Sequence, residues 1–149
     1  MATLPDPRPG LVIRCAYLWR FEAARGVEEG LKDRPCAVVL ATQRSEGRTT
    51  VVVAPITHRP PTSPEAAIEI PPGTKARLGL DPDQSWIIAD DLNYFLWPGP
   101  DLRPVDPKHL SKGFAFGYLP GTITKRLIEV VRRSMRQGSL KPVDRDRPR

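Results

Sequence analysis

Two short stretches of this chain carry side chains whose types suit chemistry on an anion. Thr57, His58 and Arg59 follow the apolar run Thr50 to Ala54 and place a hydroxyl, an imidazole and a guanidinium side by side. An imidazole exchanges a proton near neutral pH, and a guanidinium binds two oxygens of an anion at once. Arg34 offers a second guanidinium just before another apolar run. These residue types predict a site that holds an oxyanion and moves protons beside it.

The two stretches are predicted to be neighbouring strands of opposite direction. The run before Thr57 is short and rich in β-branched residues, which is typical of a strand buried on both faces. The segment from Lys32 to Ala41 has the reverse order, with polar residues first and apolar strand formers after them. The connection from Thr42 to Arg48 contains Ser-Glu-Gly and suits a hairpin. Antiparallel pairing would bring Arg34 and Thr57 to one rim of the sheet.

The rest of the pattern predicts a β-rich single domain with one late helix. Eighteen prolines in 149 residues favour short strands joined by stiff loops. Further strands are predicted at Leu11–Cys15, Ala67–Ile70, Trp86–Asp90, Leu92–Trp97 and Phe114–Tyr118. We therefore predict an α+β fold, mainly β, built as a small closed or partly closed barrel with a C-terminal helix. Its domain spans residues 10–138, between a flexible lead-in over 1–9 and a basic flexible tail over 139–149.

Three local expectations accompany this fold. A helix is predicted from Thr122 to Gln137, with an apolar face that packs onto the barrel. One or two helical turns capped at Thr74 are predicted over 73–80, and residues 101–112 are expected to be irregular. Cys15 and Cys36 fall inside predicted strands and are interpreted as buried thiols, which together make no metal site.

The charge of the chain favours an anionic partner. The formal net charge is +6, although much of the excess lies in the last helix and the tail, where a solvated basic end is the simpler explanation. No apolar run reaches the length of a membrane span, and the N-terminus lacks the features of a signal peptide. We predict a cytoplasmic protein without a membrane partner.

The order of the motifs resembles the PemK/MazF toxins of bacterial type II toxin-antitoxin systems, which are small ribonucleases. The resemblance spans roughly residues 10–97 and rests on Gly10-Leu11-Val12-Ile13, Arg34-Pro35-x-x-Val38-Val39-Leu40, Val52-Val53-Ala54-Pro55-Ile56-Thr57 and Ala89-Asp90. It implies an SH3-like barrel, a homodimer and a cognate antitoxin. It also implies an endoribonuclease that cleaves single-stranded mRNA through the 2′-OH, with neither metal nor cofactor. The segment over 98–111 and the tail are additions to the compact family core.

The resemblance also implies roles for individual residues. Arg34 matches the family arginine that meets the phosphate, and Thr57 matches the threonine that contacts the scissile region. Glu29 has the offset of an acidic catalytic residue found in some relatives, and Glu28 remains an alternative. Asp90 matches an aspartate that acts as a base in some relatives and is structural in others.

The remaining candidates are cations and aromatic residues. His58 is a candidate acid or base, although the family often has serine there, and Lys32 and Arg59 are predicted to bind RNA beside Arg34 and Thr57. A set of later aromatic residues suits either base stacking or a core or dimer interface: Trp86, Tyr94, Phe95 and Trp97. Two alternatives to the nuclease stay open, namely a non-catalytic barrel that binds RNA or a protein, and a gyrase-targeting toxin of the same fold.

Overall fold

The computed structural model describes residues 4–24, 32–44, 46–138 and 142–146. Within these ranges the strands are β1 (Leu11–Tyr17), β2 (Lys32–Gln43), β3 (Thr49–Thr57), β4 (Ala67–Glu69), β5 (Trp86–Ile88), β6 (Asn93–Trp97), β7 (Leu102–Arg103), β8 (Ala115–Tyr118) and β9 (Val143–Asp144). The α-helices of the same ranges are α1 (Arg20–Ala24), α2 (Pro72–Leu78) and α3 (Gly121–Arg136). No helix within the described residues is both long and apolar enough to cross a membrane.

The strands form a largely antiparallel sheet, which confirms the predicted α+β class. Hydrogen-bonded neighbours follow the order β4-β5-β3-β2-β1-β7, with β6 on β3, β8 on β1, and β9 parallel to β6. Among the described residues this path does not return to its first strand. The sheet is therefore not closed among these residues, although β1 and β3 each pair with different strands along different parts of their length.

The centre of the sheet is buried on both faces. On one face Val12 and Ala37 pack in a core with Leu127 of α3. On the opposite face the alternate residues of β1, β2 and β3 form a second core with Phe95. This alternation follows from the two-residue period of a strand. The predicted apolar face of the C-terminal helix is confirmed by its buried residues: Leu127, Val130, Val131 and Ser134.

Gly10 opens β1 in a conformation that suits glycine. Its φ is +95°, and a Cβ at this position would lie 2.6 Å from Thr124 Oγ1 on α3. The backbone of Gly10 is also bonded on both sides, since its N–H donates to Val38 O and its carbonyl accepts the Leu119 N–H, each at 2.8 Å. Close approach of strand and helix therefore depends on the missing side chain.

Several local predictions were wrong. Pro71, not Thr74, is the N-cap of α2, and no side chain forms a capping hydrogen bond there. Pro72 lies in the first turn, where its missing N–H leaves one group fewer that needs a partner. The strand predicted for the run Thr50 to Ala54 is longer, since β3 continues to Thr57 and β5 pairs with its last two residues. The irregular stretch predicted over 101–112 contains β7.

Residues 142–146, inside the predicted tail, contain a short strand. The predicted flexible tail over 139–149 contains β9, whose Val143 N–H donates to Leu92 O at 2.8 Å. Arg145 Nη2 donates to Asp101 Oδ1 at 2.6 Å, and the two side chains are only 2% and 12% exposed. These partners lie far apart in sequence, so a local pattern cannot reveal them.

Candidate active site

A cleft of about 880 Å³ opens between the ends of β1, β2 and β3. Most of the predicted site residues line it: Lys32, Arg34, Thr57, His58, Arg59 and Asp90. The remaining two candidates, Glu28 and Glu29, lie outside the described residues. The structure thus brings every described candidate except the later aromatic residues to one place.

Arg34 and Thr57 lie at the same end of two antiparallel strands, β2 and β3. The last pair of the β2–β3 register at this end is Cys36 opposite Pro55, two residues from Arg34 along β2 and two residues from Thr57 along β3. Both side chains line the cleft. The rim predicted from strand direction is therefore present.

The Arg34 guanidinium lies over an aromatic ring. Its Cζ lies 5.0 Å from the centroid of the Trp19 ring, which suits a cation over an aromatic face. Its Nε is buried and has no hydrogen-bond partner among the described residues. A buried donor without a partner is costly unless a ligand or water accepts its hydrogen. The position therefore suits an incoming oxyanion.

Thr57 makes a local hydrogen bond and keeps a donor. Its Oγ1 accepts the Arg59 N–H at 3.1 Å, which closes the turn after β3. An accepting hydroxyl still carries its own proton. The side chain can therefore shape the turn and donate to a bound anion at the same time.

His58 lies in a polar network at the far side of the cleft. Its Nε2 is 2.9 Å from Asp81 Oδ2, and its Nδ1 lies 3.2 Å from Gln84 O and 3.0 Å from Ser85 Oγ. Lys75, only 3% exposed, donates to Asp81 Oδ1 at 2.9 Å and to Ser85 Oγ at 2.5 Å.

This network sets the charge of Asp81. Partial burial acts to raise the pKa of Asp81, but the Lys75 hydrogen bond and the charges of His58 and Lys75 outweigh it and lower that pKa below 3.8. Among the described residues, His58, Asp81 and Asp83 place three potential metal-ligand atoms within 4.8 Å of one another. Lys75 Nζ already donates to the Asp81 carboxylate and to the Asp83 carbonyl, so a cation is in contact with this group.

Two adjacent carboxyl groups on the opposite wall have raised pKa values. Burial raises the pKa of Asp90, and the negative charge of Glu65 adds to the effect, while the Asp90 backbone and Arg20 oppose it. Burial also raises the pKa of Asp91, against the lowering effect of hydrogen bonds from Tyr17 and Arg20. A carboxylate whose pKa lies nearer neutrality is a better proton acceptor from a substrate.

Sequence reasoning missed the segment that follows β1. The sequence patterns did not predict α1, which begins at Arg20 and carries cleft-lining side chains. The missed lining residues include Tyr17, Trp19, Phe21, Glu22 and Asp91. The sequence held one signal of this helix, namely a glutamate three residues after Trp19. Glu22 accepts the Trp19 N–H at 3.0 Å, which is one of the two hydrogen bonds of a capping box.

The later aromatic residues do not line this cleft. Phe95 is 1% exposed in the second core, which confirms the core alternative for this residue. Trp86, Tyr94 and Trp97 are half-buried on β5 and β6. His109 is bonded to Asp106 at 2.9 Å on the surface, away from the predicted site residues.

Comparison with known proteins shows the family of this chain. The model of the PemK-like, MazF-like toxins of type II toxin-antitoxin systems matches residues 16–95, more than half of the chain. This chain belongs to the PemK/MazF family. The matched range contains all the predicted PemK/MazF site residues, from Glu29 to Asp90.

No curated protein sequence matches the chain. Among solved structures, Mycobacterium tuberculosis toxin MazF-mt6 is similar over 90% of this chain and 99% of its own, with 24% sequence identity and a TM-score of 0.48. The family assignment therefore rests on the PemK/MazF sequence model.

Proposed function

We propose that this PemK/MazF protein is an endoribonuclease that cleaves single-stranded RNA through its 2′-OH and without a metal. The observation that carries the proposal is that Arg34 and Thr57 line one cleft at the same end of β2 and β3, together with carboxyl groups. Cleavage of this kind requires a base for the 2′ proton, donors for the charged phosphate and an acid for the leaving oxygen. The cleft offers all three types of group.

The phosphate is assigned to Arg34 and Thr57. The Arg34 guanidinium, with a buried Nε that has no partner among the described residues, would bind the phosphate oxygens. Thr57 would donate its hydroxyl proton to the same group. Lys32 and Arg59, both exposed at the cleft, would hold neighbouring phosphates of the strand.

Proton transfer is assigned to the walls of the cleft. Asp90, whose pKa is raised by burial, would take the 2′ proton, with Glu28 and Glu29 as the alternatives from the family. The 2′ oxygen then forms a bond to phosphorus while the bond from phosphorus to the 5′ oxygen breaks. His58 would act as the acid and give a proton to the departing 5′ oxygen. The products are a 2′,3′-cyclic phosphate and a 5′-hydroxyl end.

The partners follow from the family. Type II toxins are neutralised by a protein antitoxin and usually dimerise, so we expect a cognate antitoxin and a homodimer for this chain. The half-buried aromatic side chains of β5 and β6 are the region that we assign to the dimer contact. Light scattering at high micromolar concentration tests the dimer, and a monomer would contradict it.

The test of the nuclease compares single-stranded and duplex RNA, with and without a chelator, and analyses the ends of the products. We expect cleavage of the single strand alone, unaffected by the chelator, with cyclic phosphate ends. Arg34→Ala should lose on the order of 10²-fold in rate, and Arg34→Lys should recover only part of it. Arg132→Ala, exposed on α3, is the matched control. A wild type that binds RNA but does not cleave it would favour the non-catalytic alternative.

A further inference from the structure

We propose that Cys15 and Cys36 form a redox site, at which hydrogen peroxide converts two buried thiols into a reversible disulfide that joins β1 to β2. Both cysteines are free, and their Sγ atoms lie 2.8 Å apart. A disulfide bond is about 2.0 Å long, so the two sulfur atoms have to approach by less than about 1 Å. The pair lies in the second core and does not line the cleft, so this site is independent of the proposed nuclease.

The register of β1 and β2 places the two thiols on the same face of the sheet. Cys15 lies opposite Arg34 on β2. Cys36 lies opposite Ile13 on β1, so the two cysteines are diagonal neighbours across the strand pair. Diagonal neighbours are generally further apart than residues that lie directly opposite each other. The short distance between the sulfur atoms therefore shows that the two side chains turn toward each other.

Burial protects the pair from oxidation while the strands are closed. Cys15 is 1% exposed and Cys36 is 0% exposed. Burial and the contact with Cys15 raise the pKa of Cys36 well above its ordinary value, although the charge of Arg34 opposes them. At neutral pH Cys36 is therefore a thiol and not the more reactive thiolate. Oxidation has to pass through local opening of the strand pair, so it should be slow.

The reaction with hydrogen peroxide has two steps. In the first step one sulfur bonds to a peroxide oxygen while the oxygen–oxygen bond breaks, and the departing hydroxide takes up the thiol proton, which leaves a sulfenic acid and water. In the second step the other sulfur bonds to the first while the sulfur–oxygen bond breaks, and the second thiol proton leaves with the hydroxide as water. Two thiols are thus oxidised and one peroxide is reduced to water. Because the second thiol already contacts the first, the closing step needs no diffusion.

The disulfide would close the base of the connection between β1 and β2. The two cysteines are 21 residues apart in sequence, and between them β1 ends at Tyr17 and β2 begins at Lys32. A crosslink across a loop of this length restricts the unfolded chain and thereby stabilises the folded one. We expect the oxidised protein to unfold at a temperature about 10 °C higher than the reduced protein. The pair would thus make the stability of the fold depend on oxidation.

The experiment incubates the reduced protein with hydrogen peroxide and then counts the free thiols in denaturant. The chain has two cysteines, so we expect the count to fall from two to none and to recover fully after treatment with dithiothreitol. Peptide mapping under non-reducing conditions should show Cys15 joined to Cys36 within one chain. Thermal unfolding of the oxidised and reduced protein measures the expected gain in stability.

Single variants are the matched controls. In Cys36→Ala the Cys15 thiol has no partner, so oxidation should stop at a sulfenic acid that dimedone traps, and the unfolding temperature should not rise. Cys15→Ala should give the same result at Cys36. The wild-type measurement remains decisive even where a variant fails to fold. Thiols that stay free after oxidation, covalent dimers joined through these cysteines, or an oxidised protein no more stable than the reduced one would each overturn the proposal.

Discussion

The side chain of Asn93 forms two hydrogen bonds with the backbone of Leu18. Its Nδ2 donates to Leu18 O at 2.6 Å, and its Oδ1 accepts the Leu18 N–H at 2.9 Å. Asn93 is 1% exposed, so water cannot replace either bond. The pair fixes the point at which β1 leaves the sheet and enters the cleft.

Replacing Asn93 should therefore destabilise the fold and the cleft together. Asn93→Leu leaves two backbone groups of Leu18 without partners, which costs about 1–3 kcal/mol for each group. Asn93→Asp keeps the acceptor but turns a carboxylate oxygen toward Leu18 O, so it should also lose stability at neutral pH. Urea unfolding measures the free energy, with exposed Thr122→Ala as the control. An Asn93→Leu protein as stable as the wild type would contradict this account.

Removing Arg145 should be costly, because it leaves a buried carboxylate behind. The Arg145 and Asp101 side chains are bonded at 2.6 Å and are almost entirely buried. We expect Arg145→Ala to lower the free energy of unfolding by about 3–5 kcal/mol. The double change Arg145→Met with Asp101→Leu should cost less, since no charge is left unpaired. Arg136→Ala, exposed on α3, is the control in chemical denaturation.

Gly10→Ala should destabilise the contact between β1 and α3. The new Cβ meets Thr124 Oγ1 at 2.6 Å and stands at a φ of +95°, so we expect a loss of more than about 1 kcal/mol. Thr124→Ala in the same chain should relieve the clash but not the backbone strain. Gly121→Ala is the matched control, because a Cβ there meets nothing within 4 Å. Equal stability of Gly10→Ala and Gly121→Ala in thermal unfolding would refute the argument.

The hydrogen bonds and charges around Asp81 predict that the stability of the fold depends on pH in the acid range. The folded pKa of Asp81 lies below its ordinary value of 3.8, so ionised Asp81 stabilises the fold above that value. This contribution is lost as the pH falls through the lowered folded pKa. The stability difference between the wild type and Asp81→Asn should therefore be constant above about pH 5 and shrink below about pH 4. Glu69→Gln, exposed on β4, controls for general charge effects.

A pH profile of RNA cleavage tests the assignment of Asp90 as the base. Burial raises the pKa of Asp90, and a base must be deprotonated to work, so kcat/KM should fall as the pH drops through that raised value. Asp90→Asn should lower the rate on the order of 10²-fold and remove this acidic limb. A retained limb with a small rate loss would point to Glu28 or Glu29 instead. Binding of an uncleavable strand should be unchanged in Asp90→Asn.

Local sequence patterns predicted the central strands and the C-terminal helix of this protein. The β-branched runs predict β2 and β3, the polar ends of those runs predict opposite strand directions, and the helical period predicts the buried face of α3. Because antiparallel pairing converts strand direction into proximity, Arg34 and Thr57 were predicted to share a rim from sequence. The order of the same motifs also carried the family, which the PemK/MazF match to residues 16–95 confirms.

The tertiary structure alone decided the surroundings of that rim. Asn93 is 75 residues from Leu18, and Arg145 is 44 residues from Asp101. Lys75 is buried and donates to Asp81 and Ser85, the two residues that also contact His58. Nothing in the sequence of α2 predicts these hydrogen bonds. Such pairs depend on which strands become neighbours along the sheet, and that path is set by the packing of two cores. The amino-acid sequence specifies the path through the sum of many weak contacts, so no single motif displays it.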